Sequence, residues 1–259
     1  MAVVHPTAII SGDAVVADDA EVGPYAVIGP NVTVGSGSRI GAYTRIEGPT
    51  FIGARNDFYG HASIGGPPQD VKYRGERTEL AIGNDNIFRE FVTINRGTAG
   101  GGGATTIGGQ NFFMAYAHVA HDCHVGSQTI FANGATLAGH VDVGDSATIG
   151  AFSAVHQFCR VGEHAFIGGF SVCTLDVLPF VKTVGARPAK TYGINTIGLQ
   201  RKGLPSETID ALQRAYRILI RSKLKLEDAL QQIEADLSPY PEARYLVDFV
   251  RGSQRGFIR

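Results

Sequence analysis

The sequence lacks the features that membrane proteins, disulfide-bonded proteins and nucleic-acid-binding proteins usually carry. No apolar run in the chain reaches the roughly 18 residues that a membrane span needs, so we expect no stable membrane insertion. The 23 basic residues are balanced by 24 acidic residues, which predicts no nucleic-acid partner. There are only three cysteines, too few and too widely spaced for a disulfide framework. Together these absences predict a soluble protein of the cytoplasm.

What the sequence has instead is a strict period of six. Every sixth residue from Val4 to Ile64 is a bulky aliphatic residue or Phe, and a second run extends from Ile107 to Cys173. Neither an α-helix nor a flat alternating strand gives this spacing. Hexapeptide repeats predict a parallel β-helix in which three hexads form one triangular coil of about 18 residues. The chain enters this register at Val4, so we expect no signal peptide.

Two loops interrupt the repeat, and long loops on a solenoid usually carry function. The first is predicted at residues 66–79, where Pro67 and Pro68 break the strand while the phase of the repeat is kept. The second is predicted at 97–105, where a glycine-rich stretch shifts the phase by one residue. We expect this second loop to be flexible.

The pattern changes after the last hexad near Cys173. Residues 174–195 predict an irregular exit, and from about residue 196 the apolar spacing becomes helical, with Ser206 as a predicted helix cap. The expected architecture is an all-β solenoid at 1–195 followed by a C-terminal α-helical domain at 196–259. Helices in this position can cover the open end of a solenoid.

A coil of 18 residues brings distant residues together. Five of the eight histidines lie between 118 and 156. Asp122 lies one coil from His140, and His121 lies one coil from Gly139. The spacing predicts one cluster on a corner or face of the prism, formed by His121, Asp122, Gly139, His140, His156 and Gln157.

Catalysis by a general base is the chemistry that this cluster favours. A neutral imidazole can accept a proton from an attacking hydroxyl near pH 7, and Asp122 could orient His121. The backbone N–H of Gly139 could stabilise an oxyanion. The cluster has no Ser-His-Asp set, which favours direct transfer over a covalent acyl-enzyme. No two histidines differ by 18 or 36 residues, and this argues against a zinc site built from stacked histidines.

Several segments resemble one enzyme family closely. They are Met114–Cys123 (MAYAHVAHDC), 137–141 (LAGHV), 154–159 (AVHQFC), 69–73 (QDVKY) and 94–98 (INRGT). These segments resemble the acyl-carrier-protein:UDP-N-acetylglucosamine 3-O-acyltransferases, which open lipid A biosynthesis in Gram-negative bacteria. The resemblance extends from about His5 to Arg259. It implies a left-handed β-helix, against the usual crossover preference, in a homotrimer with active sites between neighbouring subunits.

The resemblance also implies a reaction and residue roles. An (R)-3-hydroxyacyl chain would pass from the phosphopantetheine of acyl-carrier protein to the 3-hydroxyl of UDP-N-acetylglucosamine, without a cofactor or a metal. His121 would be the general base, Asp122 would orient it, and the Gly139 N–H would hold the oxyanion. Further implied contacts to the nucleotide sugar and the acyl donor are His118, His140, His156 and Gln157, then Asp70 and Lys72 from across the cleft, and Asn195, Arg201 and Lys202 at the uridine and phosphates.

Two more expectations concern the acyl chain and its carrier. Gly169 matches a position that limits the acyl chain in the family, and a glycine leaves the channel open for a longer chain. Arg214, Arg217 and Arg221 form a stripe on one helix face, which is either a solvated face or a docking surface for the acidic carrier protein.

The sequence departs from the family pattern near the nucleotide and leaves other functions open. Ile197 stands where we expect an acidic residue, and Lys202 stands where we expect a second arginine. The acceptor could instead be a 3-amino sugar nucleotide, which would give an amide. From other classes, a zinc enzyme of the carbonic anhydrase type and a non-catalytic hexapeptide scaffold remain as alternatives.

Overall fold

Three parallel sheets form the faces of a triangular prism in the computed structural model, which describes residues 2–259. From Val3 to Cys173 consecutive strands belong to consecutive faces, and strands one coil apart pair in parallel. Val4 pairs with Val22 in this way, and Ile10 pairs with Ile28. This register confirms the predicted parallel β-helix and its 18-residue coil.

We name the sheets A, B and C in the order in which the chain enters them. Sheet A has eleven strands: Val3–Val4, Glu21–Val22, Arg39–Ile40, Asp57–Phe58, Ile87–Phe88, Phe112–Phe113, Ile130–Phe131, Thr148–Ile149, Phe166–Ile167, Val181–Val184 and Lys190–Ile194. Sheet B has nine: Ile9–Ile10, Val27–Ile28, Arg45–Ile46, Ser63–Gly66, Thr93–Asn95, His118–Val119, Thr136–Leu137, Ala154–Val155 and Val172–Cys173. Sheet C has eight: Val15–Val16, Val32–Val34, Thr50–Ile52, Glu79–Ile82, Ala104–Ile107, His124–Val125, Asp142–Val143 and Arg160–Val161.

Turns between the sheets form three corners, which we call A–B, B–C and C–A. The first loop connects Ser63–Gly66 to Glu79–Ile82, and the second connects Thr93–Asn95 to Ala104–Ile107. Each of these connections runs from sheet B to sheet C. Both loops therefore leave the prism at the B–C corner.

Buried asparagines at the C–A corner show how the loops fit the repeat. The side chain of Asn86 donates to Asn56, 30 residues earlier, and accepts from the N–H of Asn111, 25 residues later. The next step, from Asn111 to Thr129, has the regular 18 residues. The first loop thus adds two hexads and keeps the phase, whereas the second adds one hexad and one residue and shifts it.

The repeated apolar residues fill the prism. Phe58, Phe88, Phe113 and Phe131 form a continuous stack inside it, with ring centroids 4.5, 5.0 and 4.6 Å apart. These distances are close to the spacing of adjacent strands, so each ring packs on its copy one coil away. The three cysteines are buried and free, as expected from their spacing.

The exit from the repeat is more regular than the sequence predicts. Val181–Val184 adds to sheet A in parallel and then pairs antiparallel with Lys190–Ile194, so residues 174–195 include a hairpin instead of an irregular segment. Leu178, just before the hairpin, and Ile194, its last residue, share a hydrophobic cluster with the helices that follow. The hairpin therefore packs with the helical region.

Four α-helices follow the hairpin. They are α1 (Thr196–Arg201), α2 (Ser206–Tyr216), α3 (Leu226–Asp236) and α4 (Pro241–Arg251), and α2 continues as a π-helical turn over Arg217–Arg221. The predicted cap at Ser206 is wrong by one position. Pro205 is the N-cap, and Ser206 is already helical and makes no capping hydrogen bond.

Candidate active site

The predicted histidine cluster lies at the B–C corner, the corner that both loops leave. His118 lies on a strand of sheet B, and His121 and Asp122 lie in the turn that follows it. Asp122, His140 and Phe158 occupy the same turn position in three successive coils, with φ of 58°, 60° and 63°. This shared left-handed conformation aligns their side chains in one column. The ring of Phe158 stacks on His140 with centroids 4.5 Å apart.

His121 and Asp122 form a hydrogen-bonded pair at the centre of the cluster. Nδ1 of His121 lies 2.7 Å from Oδ2 of Asp122, and the side chains are 14% and 0% exposed. An ionised carboxylate only accepts hydrogen bonds, so Nδ1 carries the proton and Nε2 keeps its lone pair. The arrangement gives His121 the tautomer that a general base needs.

The second loop holds the carboxylate of Asp122 from the other side. Thr98 donates to Oδ1 from its backbone N–H and to Oδ2 from its hydroxyl, both at 2.7 Å. Burial opposes ionisation of Asp122, but the hydrogen bonds from Thr98 and His121 outweigh it, and the pKa of the carboxyl lies below its usual value. Thr98, near the start of this loop, is therefore buried against Asp122.

Gly139 lies directly over the imidazole of His121, as the 18-residue coil predicts. A Cβ at this position would be 2.6 Å from Cε1 and 2.9 Å from Nε2 of His121, so only glycine leaves room for the ring. Within residues 2–259 the Gly139 N–H has no hydrogen-bond acceptor. A free donor next to Nε2 is the arrangement that an oxyanion site requires.

The remaining B–C residues surround this centre without bonding to it. Nδ1 of His118 lies 2.7 Å from Oγ1 of Thr93, and burial and then the proximity of His121 lower the pKa of His118. His156 is exposed, with Nδ1 3.0 Å from the carbonyl oxygen of Gln157. All three residues border the same corner, where a substrate could contact them.

Three of the side chains approach one another closely enough to bind a metal. Ligand atoms of His121, Asp122 and His140 lie within 4.8 Å of one another, although the histidines do not stack in register. His140 lies one coil above Asp122, with its Nε2 3.7 Å from Oδ2, an approach that histidine-to-histidine spacing does not reveal. However, the oxygens of Asp122 already accept bonds from Thr98 and His121, which makes this carboxylate a poor ligand.

A second group of predicted residues lies elsewhere, at the C–A corner and on the outer face of sheet A. A cavity of about 670 Å³ is lined by Ile130, Ser146, Thr148, His164, Phe166, Lys182, Asn195, Thr196, Ile197, Gly198, Arg201 and Lys202. Asn195 caps helix α1 by accepting from the Gly198 N–H, and Lys202 donates to Gln128 at 3.2 Å. The structure thus brings Asn195, Arg201 and Lys202 together, but at a different corner from the histidines.

Sequence reasoning missed His164, which lines this cavity. Burial and then the proximity of Lys202 lower its pKa, so it lies beside the cations as a neutral ring. The available signal was the 18-residue coil, because Gln128, Ser146 and His164 are successive residues of one corner and Gln128 contacts Lys202.

Three other predicted residues, Asp70, Lys72 and Gly169, make no hydrogen bond or ion pair with the histidines of the B–C corner within residues 2–259. Asp70 and Lys72 lie on the first loop, where Oδ1 of Asp70 accepts from the Lys72 N–H at 2.9 Å. Neither makes an ion pair or hydrogen bond with a B–C histidine within residues 2–259. Gly169 is exposed at the A–B corner, and a Cβ there would meet only backbone atoms of Ala151, the nearest at 3.3 Å.

The basic stripe is only partly one surface. Arg214, Arg217 and Arg221 are all exposed. Arg217 and Arg221 line a groove of about 800 Å³ together with Tyr192 and other residues, whereas Arg214 does not. Arg214 lies on helix α2, whereas Arg217 and Arg221 lie on the π-helical turn that follows it.

Family models match both parts of the chain. A model described as "Bacterial transferase hexapeptide (six repeats)" matches residues 13–48 and 104–139. A model described as "Udp N-acetylglucosamine O-acyltransferase; Domain 2" matches residues 176–258. Within residues 2–259, no helix has the length and apolar character to cross a bilayer.

Named relatives resemble the chain along most of its length. A protein of Stenotrophomonas maltophilia (strain R551-3), named acyl-[acyl-carrier-protein]–UDP-N-acetylglucosamine O-acyltransferase, is 49% identical over 80% of this chain and 79% of its own. A protein of the same name from Thermodesulfovibrio yellowstonii is 49% identical over 83% of each chain.

Solved structures give the same result. The structure of LpxA from Acinetobacter baumannii covers 99% of this chain and 100% of its own, with a TM-score of 0.96 and 42% identity. The Arabidopsis UDP-N-acetylglucosamine acyltransferase has a TM-score of 0.87 and 34% identity over 99% of this chain and 100% of its own. The fold is the left-handed parallel β-helix with a C-terminal helical region that the sequence predicts.

Proposed function

Because the chain belongs to the acyl-carrier-protein–UDP-N-acetylglucosamine O-acyltransferase family, we propose that it transfers an (R)-3-hydroxyacyl chain from acyl-carrier protein to the 3-hydroxyl of UDP-N-acetylglucosamine. This is the first step of lipid A biosynthesis and takes place in the cytoplasm. The observation that carries the proposal is the His121–Asp122 pair with the free Gly139 N–H over its imidazole.

The reaction follows from the geometry of this centre. Nε2 of His121 takes the proton of the sugar 3-hydroxyl while the oxygen attacks the thioester carbonyl and a C–O bond forms. The Gly139 N–H donates to the resulting oxyanion. When the tetrahedral intermediate collapses, the C–S bond breaks and the leaving sulfur takes the proton back from Nε2. Asp122 stays ionised because its pKa is lowered, and it stabilises the imidazolium between these steps.

The donor and acceptor supply every other chemical group. The acyl chain arrives as a thioester on the phosphopantetheine of acyl-carrier protein, which is a co-substrate, so the reaction needs no cofactor. His118, His140, His156 and Gln157 border the reacting centre and position the sugar and thioester. An open position at Gly169 favours a longer hydroxyacyl chain, and the exposed Arg214, Arg217 and Arg221 attract the acidic carrier protein.

The uridine diphosphate end fits the cavity at the C–A corner. Arg201 and Lys202 supply positive charge for the two phosphates, although Lys202 provides a point charge instead of a bidentate fork. Asn195 has a polar side chain next to them, and Ile197 presents an apolar surface to the nucleoside where the family pattern predicts an acid.

A shared site between subunits explains why these two groups are separate. The histidines lie at the B–C corner and the cations at the C–A corner of the same prism, so one substrate spans both only if they come from different chains. A homotrimer joins the B–C corner of each subunit to the C–A cavity of the next. Asp70 and Lys72, on the extended first loop, then reach the sugar from across the cleft.

Acyl transfer with a series of (R)-3-hydroxyacyl-carrier proteins tests this function. We expect ester formation on UDP-N-acetylglucosamine, and His121→Ala should lower kcat by about 10²–10⁴-fold because the general base is lost. His124→Ala is the control, since this exposed histidine bonds only Thr106. Near-normal activity of His121→Ala would refute the base assignment. Activity with only a 3-amino acceptor would correct the acceptor.

A zinc hydratase is the second candidate, favoured by the approach of His121, Asp122 and His140. Metal analysis of the purified protein distinguishes the two functions. Acyl transfer that survives exhaustive chelation supports the proposed function. Stoichiometric zinc together with bicarbonate-forming activity would favour the alternative.

A further inference from the structure

Residues 95–98, where the second loop begins, contact both Asp122 and the first loop. At one end Thr98 donates two hydrogen bonds to the carboxylate of Asp122. At the other end Nδ2 of Asn95 donates to the carbonyl of Pro67 at 2.8 Å, where the first loop begins. We call residues 95–98 the linker segment, because they join the catalytic carboxylate to the base of the first loop.

Arg96 is a buried cation at the centre of this segment. It is only 8% exposed, and within residues 2–259 no carboxylate oxygen lies within 4.0 Å of its guanidinium. Its guanidinium donates to the carbonyl of Gly65, and its backbone N–H donates to the carbonyl of Gly66 at 3.0 Å. A buried guanidinium without a counter-ion is costly, so a role in fixing geometry would explain it better than a contribution to stability.

Arg96 also reaches into the first loop through Tyr73. The Tyr73 hydroxyl accepts from the Arg96 guanidinium at 3.4 Å and donates to the carbonyl of Glu76 at 3.0 Å. The Tyr73 N–H donates to the carbonyl of Asp70, which closes the turn that carries Lys72. Val71 at the tip of this loop is 91% exposed, and its carbonyl accepts from Arg74 of the same loop at 2.8 Å.

We propose that Arg96 is a positioning residue that holds the first loop in place for binding of the nucleotide sugar. This inference rests on the proposed function, in which Asp70 and Lys72 contact the sugar across the cleft. The linker segment would then support two sites at once, because Thr98 orients Asp122 of its own chain while Arg96 orients the loop offered to the neighbouring site. Gly97 lets the linker segment pass close to Ala104, since a Cβ there would clash with the Ala104 backbone.

Two measurements on three variants test this role. Arg96→Lys keeps the charge but loses the fork, Tyr73→Phe removes only the hydroxyl partner, and Arg77→Lys is the control on an exposed arginine of the same loop. Hydrogen exchange of the amides of residues 69–78 reports the order of the loop without substrate. Steady-state kinetics then separates KM for UDP-N-acetylglucosamine from kcat.

We expect Arg96→Lys to speed exchange in the loop and to raise KM by about tenfold, with kcat within about twofold of wild type. Tyr73→Phe should change both in the same direction by less, and the double variant should resemble Arg96→Lys alone because the two residues act through one contact. Arg77→Lys should change neither.

Unchanged loop exchange in Arg96→Lys would overturn the inference. A fall in kcat in proportion to a lower Tm, with KM unchanged, would also overturn it, because that result indicates only a structural role. Should Arg96→Lys fail to fold, Tyr73→Phe makes the same comparison through its partner. If wild type itself does not use UDP-N-acetylglucosamine, the proposed function fails and the exchange measurement alone decides whether Arg96 orders the loop.

Discussion

His118 and His124 make the same kind of hydrogen bond but differ in burial. Nδ1 of His118 lies 2.7 Å from Thr93 Oγ1, and Nδ1 of His124 lies 2.8 Å from Thr106 Oγ1, but His118 is half-buried and His124 is exposed. Burial, followed by the proximity of His121, lowers the pKa of His118 below its ordinary 6.5. At pH values between the lowered pKa and 6.5, the unfolded chain therefore binds more protons than the folded chain.

We expect this histidine to make the protein less stable in mild acid. The stability that neutral His118 contributes is complete above about pH 6.5 and is lost as the pH falls toward the lowered pKa of the folded state. Urea unfolding at pH 7.5 and 5.5 measures the effect. His118→Gln should show a smaller loss between these pH values than wild type, and His124→Gln should show the same loss as wild type. An equal loss in all three proteins, or an NMR titration of His118 above 6.5, would contradict the prediction.

The sequence predicts the placement of Gly139 and His140 because the coil length is fixed. Once one coil is 18 residues, Gly139 lies over His121 and His140 lies over Asp122 without further information. Thr98 could not be predicted in the same way. Its position depends on how the second loop folds back onto the B–C corner, and loop paths are set by tertiary contacts that no repeat encodes.

At the scale of the elements, the stacked phenylalanines of sheet A show how much of the prism's stability comes from its interior. Phe113 is fully buried between Phe88 and Phe131. Removing its ring leaves a cavity that the rigid coils on both sides cannot close. We expect Phe113→Ala to lower the free energy of unfolding by about 3–5 kcal/mol, measured by urea unfolding.

Phe51→Ala is the matched control for this change. Phe51 also lies on a strand, but it faces outward from sheet C and is 45% exposed. Its removal should cost much less, because little apolar surface returns to water. If Phe51→Ala lowered the free energy of unfolding as much as Phe113→Ala, the outward face of the prism would also be buried in the assembled protein. The interior stack would then contribute no more to stability than the outward face.

Elements outside the repeat were harder to predict for a physical reason. Each hexad forms the same short strand and turn. The hairpin of Val181–Val184 and Lys190–Ile194, in contrast, forms only once and depends on its packing against the helices. The π-helical turn at Arg217–Arg221 likewise has no periodic signal. The β-helix could therefore be predicted from the sequence, but its junction with the helical region could not.

At the scale of the whole molecule, the sequence of one chain does not show which residues come together in the proposed site. The coil length places His121 at the B–C corner, and the fold places Arg201 at the C–A corner. Their sequence positions do not indicate whether both belong to one site. The prism places the two groups at different corners, and the proposed site combines them from two chains, which leads to a direct test.

Mixed subunits should restore activity if the site is shared. His121→Ala and Arg201→Ala should each be impaired alone, the first in kcat and the second in binding the nucleotide sugar. When the two variants are co-expressed, about one site in four should combine an intact His121 from one subunit with an intact Arg201 from its neighbour. Activity at low UDP-N-acetylglucosamine should then rise well above that of either variant.

Co-expression of His121→Ala with Asp122→Asn provides the control, because both residues lie at the same corner of one chain and no pairing of subunits yields an intact site. Restoration in the first mixture and none in the control is the result that a site between subunits requires. If neither mixture recovers, although mass measurements show that the subunits exchange, His121 and Arg201 do not act across a shared cleft. The nucleotide would then have to bind elsewhere than in the C–A cavity.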